Sequence, residues 1–177
     1  MSRPIGYLLH HIGILPHMVR GIVLVAVVLG LSDNSLVDAA GALCTGKQST
    51  LQCLKRNFRD LYSSDHDRFF RILFAAEKAA TKCDAPAKTV AFLEVAPLIQ
   101  GSAEVGEYFS EVVEKLSTAK PRCLLDSLAR VNDDTRTRII NELRTPTFLD
   151  EAVIREVFLR HRADPRYKMI MDLYFSP

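Results

Sequence analysis

From residue 50 to residue 175, apolar side chains recur three and four positions apart, and almost nowhere do they alternate with polar ones. A repeat near 3.6 buries one stripe of a helix, whereas strict alternation buries one face of a strand. The pattern therefore predicts an all-α fold. Its clearest instance follows Ser102, where Val105, Tyr108, Phe109, Val112, Val113 and Leu116 share one stripe of a helix expected to run to about Ser117. Ser102 is placed to cap it, because a short hydroxyl side chain accepts from the free N–H groups of a first turn.

Seven other segments read the same way. The first helix is expected over 50–62, with Leu51, Leu54, Phe58 and Leu61 inward. The second follows Ser64, with Ser64 and Asp67 as a capping box, and carries Phe69, Phe70, Leu73 and Phe74. The third covers 87–96 and stops at Pro97, which lacks an N–H and clashes with the preceding turn. After Pro121 comes a fifth over 122–131, and after Asn132 a sixth that buries Ile139, Ile140 and Leu143. A second capping box, Thr147 with Asp150, opens the seventh, and Asp164-Pro165 opens the eighth. Connections of two to six residues suggest antiparallel neighbours: third with fourth, fifth with sixth, seventh with eighth. The expected architecture is a single domain of about eight short helices, stacked as hairpins or closed into an irregular bundle.

Ahead of these helices lies an apolar run over 21–31, flanked by Arg20 and by Ser32-Asp33-Asn34. Eleven residues are too few for a membrane span, which needs about 20, but suit the core of a signal peptide. Ala40-Gly41-Ala42 supplies a small-x-small cleavage site, with Ala40 as a second possible cut. A start at Met18 would give the most compact version of this signal. Residues 1–42 are accordingly expected to be removed, leaving a helical domain over 43–177 in the periplasm or secreted space.

Cys44, Cys53, Cys83 and Cys123 all survive that cut, and an even count in an exported chain points to disulfides. Three pairings are possible. Cys44 and Cys53 flank the start of the first helix, while Cys83 ends the second and Cys123 begins the fifth. Two intervening helices bring the chain back to the same end, which favours Cys44–Cys53 with Cys83–Cys123. No Cys-x-x-Cys spacing suggests zinc or redox chemistry.

Motifs for catalysis are scarce. There is no glycine-rich phosphate loop, no His-Glu-x-x-His and no Gly-x-Ser-x-Gly. The residue types of a nucleophile–base pair meet only in Ser63-Ser64-Asp65-His66-Asp67, where His66 with Asp65 or Asp67 would serve a small hydrolase. The same residues also make a plain helix start. No cofactor or metal is expected. The net charge of +2 is spread without a basic cluster, which argues against a nucleic-acid partner.

One surface feature stands out. Glu104, Glu107, Glu111 and Glu114 gather on the side of the fourth helix opposite its apolar stripe, with few cations nearby. A stripe of this kind is first of all a plain solvated helix face; alternatively it suits a basic partner. The sequence therefore reads as a non-catalytic protein-interaction module, with an extracytoplasmic inhibitor or immunity protein as the alternative.

Overall fold

Asn57 divides what the periodicity reads as one opening helix. Its side-chain amide donates to the Cys53 carbonyl at 3.0 Å, and its backbone swings to φ −121° and ψ 31°. Asparagine competes for backbone partners in this way, which is why it interrupts helices that apolar spacing alone would continue. The result is α1, Leu51–Arg56, and α2, Phe58–Ser64. Described by a computed structural model, residues 43–176 continue as α3 (His66–Ala80), α4 (Pro86–Leu93), α5 (Ala103–Ala119), α6 (Pro121–Leu128), α7 (Asp133–Arg144), α8 (Glu151–His161) and α9 (Lys168–Phe175). Short 3-10 turns lie at Gly46–Gln48, Ala96–Leu98 and Pro165–Tyr167, and no strand occurs among the described residues. The predicted signal peptide and its cleavage site lie outside the described residues.

The caps are local and explicable. Ser102, Asn132 and Asp164 accept from the backbone N–H groups of Val105, Thr135 and Arg166. Two expected capping boxes are corrected. Asp65, not Ser64, caps α3 by accepting from Arg68 N at 3.0 Å, because the Ser64 hydroxyl turns back to the Asp60 carbonyl at 2.6 Å. Asp150, not Thr147, caps α8, accepting from Ala152 N at 2.8 Å.

A single core runs through the domain, with Leu54, Leu61, Phe69, Phe92, Phe109, Leu124, Ile140 and Phe158 all at or below 1% exposure. Helix α5 lies at its centre and packs against α6, α7 and α8. Elsewhere α3 packs with α4, α4 with α6, α7 with α9 and α2 with α3. These differ from the hairpin scheme, whose successive pairs would be α4–α5, α6–α7 and α8–α9. Length explains the difference. At 1.5 Å per residue α5 is about 25 Å long, and the eight-residue α4 and α6 only about 12 Å. No one neighbour covers the apolar stripe of α5, so several share it and the fold closes as an irregular bundle.

Both favoured disulfides are present. Cys44–Cys53 spans Cα atoms 5.6 Å apart and ties the entry segment to α1. Cys83–Cys123 spans 5.9 Å and joins the chain after α3 to the first turn of α6. Lys120 fastens the same end, donating from Nζ to the Thr81 and Lys82 carbonyls at 2.8 and 3.0 Å.

Candidate functional site

Between α3 and α5 aromatic side chains meet. Phe70 and Phe74, one turn apart on α3, lie 5.4 Å apart between ring centroids, and Tyr108 of α5 meets Phe74 at 5.1 Å. His66 continues the row at 4.7 Å from Phe70, and Tyr62 of α2 lies 5.2 Å from His66. Phe69 sits beneath at zero exposure, so one edge of the row is core while Phe74 is 48% exposed. Tyr62, Phe70 and Tyr108 are half-buried, so the row opens to solvent chiefly at His66 and Phe74.

Carboxylates edge this row. Glu104 accepts from the Tyr62 hydroxyl and lies 3.0 Å from His66 Nε2. Those two partners hold its carboxyl below the ordinary glutamate value, the histidine contact contributing most. Glu77 accepts from the Tyr108 hydroxyl at 2.5 Å, and burial together with this bond pushes the tyrosine well above its usual range. Glu107 is exposed, and Glu111 pairs with Lys115 at 2.5 Å.

Glu114 departs from the expected stripe. It is fully buried rather than solvated, and its carboxylate accepts from the backbone N–H groups of Thr147, Phe148 and Leu149 at 2.7, 2.8 and 2.7 Å. At about 100° per residue it stands roughly 80° around the helix from Glu104, far enough to meet the α7–α8 connection. Its role is structural. Beside it, Ser110 hydrogen-bonds to Glu142, whose carboxyl is raised mainly by burial and further by Glu114, against the opposing effects of Ser110 and Arg138.

The carboxylate partner of His66 is not the expected Asp65 or Asp67. Glu104, from another helix, holds the imidazole, whereas Asp65 is committed to its cap and to Arg68 at 2.9 Å. Asp67 is exposed, and the Ser64 hydroxyl is spent on Asp60. Clefts of about 440, 370 and 370 Å³ lie beside Tyr174, Asn57 and Lys168 respectively. Among the described residues no group of His, Cys, Asp or Glu is arranged to hold a metal, and no helix is long and apolar enough to cross a membrane.

Sequence reasoning singled out Glu104, Glu107 and Glu111 but not the aromatic row that Glu104 borders. Phe70, Phe74 and Tyr108 carry the spacing of core positions, and only packing reveals which of them lack a cover. Compared with family models, with characterised proteins and with solved structures, the chain matches none.

Proposed function

We propose that this is an exported, non-catalytic binding module whose α3–α5 face receives a basic surface of a partner protein. The observation that carries the reading is the aromatic row ending in half-exposed Phe74, edged by Glu77 and Glu104, with Glu107 and Glu111 on the same helix as Tyr108. Arginine and lysine are matched by both elements at once: their cations pair with carboxylates and also lie favourably over aromatic faces. Export is supported by the apolar run over 21–31 and by two disulfides, which persist in oxidising compartments. An inhibitor or immunity protein acting outside the cytoplasm is a narrower form of the same reading.

The test is affinity capture from an extract of the native envelope or secreted fraction. Wild type is compared with Phe74→Ala and with Glu107→Lys/Glu111→Lys. Loss of a defined protein from both variants, at unchanged melting temperature, is the expected result. Identical capture by all three removes the face from consideration.

A further inference from the structure

At the opposite end of the sequence, α7, α8 and α9 enclose a cleft of about 440 Å³ lined by Asn141, Arg144, Thr145, Glu151, Arg155 and Tyr174. Tyr174 is 3% exposed, packed at 4.4 Å between ring centroids against the core ring of Phe158. Its hydroxyl is buried yet has no hydrogen-bond partner. Leaving a buried hydroxyl unsatisfied is costly, and native structures rarely do so without a reason. Among the described residues, Arg144, Arg155 and Glu151 form no ion pair.

Both arginines are nevertheless held in place. Arg144 donates from Nη2 to the Ser176 carbonyl at 2.8 Å, and the Arg155 guanidinium lies 5.2 Å from the centroid of the Phe175 ring. All three charges act on the Tyr174 hydroxyl. Burial raises the phenol first, Glu151 adds to the shift, and Arg155 and Arg144 oppose it. The phenol is thus protonated at neutral pH and available to donate.

We infer that this cleft binds a small α-amino carboxylate, its carboxylate received by Arg144, Arg155 and the Tyr174 hydroxyl and its ammonium by Glu151. The donor set is that of a carboxylate site, since planar guanidinium groups match carboxylate geometry and the orphaned hydroxyl supplies the remaining donor. The single acid among the lining residues matches a cation directly attached to the anion. The cleft volume falls within the range of small-molecule sites and exceeds that of a free amino acid. The site does not rest on the α3–α5 face, and neither result bears on the other.

The test is a melting-temperature screen of the purified protein against the twenty standard L-amino acids at millimolar concentration. For the best of them, the decarboxylated amine and the desamino acid are run alongside, followed by calorimetric titration. Tyr174→Phe removes only the orphaned hydroxyl, so the ligand-free variant should melt at or above the wild-type temperature. It should also bind about tenfold or more weakly, and Arg155→Met should lose binding similarly. Three results would each overturn the inference: no amino acid shifting the melt, an equal shift from either truncated analogue, or undiminished binding by Tyr174→Phe.

Discussion

Two buried charged residues hold the turns of the chain from α6 to α7 and from α7 to α8. Glu114 satisfies three consecutive N–H groups of the α7–α8 connection. Arg136, 5% exposed, reaches the carbonyls of Leu128 and Val131 at 2.7 Å each and the Asp133 carboxylate at 2.5 Å, closing the end of α6. Neither role is legible in the sequence, where each reads as one more charge on a polar helix face. What they satisfy is backbone far along or outside their own helix turns, and apolar periodicity carries no information about that. Removing the Glu114 acceptor orphans several donors at once, so Glu114→Ala should lower unfolding free energy by about 3 kcal/mol or more in urea titration. Glu114→Gln, which keeps one acceptor oxygen, should cost less. Glu142 gives a prediction of opposite pH sense to that of an ion-paired acid. Because its carboxyl is raised in the folded chain, the fold holds a proton that the unfolded chain has already released. Its contribution is complete below the unfolded value and is lost as pH rises through the folded one. Glu142→Gln should therefore flatten the decline in urea midpoint from the ordinary carboxylate range upward. An unchanged pH profile would show that Glu142 is not the responsible group.

Among the elements, those longest and most strongly periodic are the ones the sequence marks best. Helix α5 begins at Ala103 behind the expected Ser102 cap and ends two residues beyond the expected limit. Prolines at 86, 121 and 165 open helical turns at N1, as their fixed φ favours. Errors concentrate where a polar side chain has a choice of backbone partners: Asn57 splitting α1 from α2, Ser64 turning backward, Asp150 replacing Thr147. Helix pairing was the least legible level, since connection length constrains a neighbour's direction but not which stripe it covers. The disulfides were legible because alternating helix direction brings chain ends together whichever faces are buried. Cys83–Cys123 closes a loop with a sequence separation of 40, and the chain-entropy model assigns such a closure about 4 kcal/mol. Cys83→Ser/Cys123→Ser should lose stability of that order by denaturant titration, whereas the shorter Cys44–Cys53 loop should contribute about 3 kcal/mol.

For the whole molecule, the central claim is that a helical bundle with an ordinary core leaves one aromatic face uncovered because a partner covers it. Other large apolar side chains are comparably exposed, Leu159 at 45% and Met169 at 53%. Solitary exposed residues are normal on any protein, so exposure alone does not distinguish them from Phe74. What separates Phe74 is its place in a contiguous ring row edged by carboxylates. The most direct measurement is therefore site-specific photo-crosslinking in the native extract, with a photoreactive phenylalanine analogue placed at position 74 and, as controls, at positions 159 and 169. A discrete adduct with one protein at position 74, competed away by a lysine- and arginine-rich peptide and absent at the two controls, is the predicted result. No adduct at position 74, or the same adducts at all three positions, would contradict the assignment of this face to a partner.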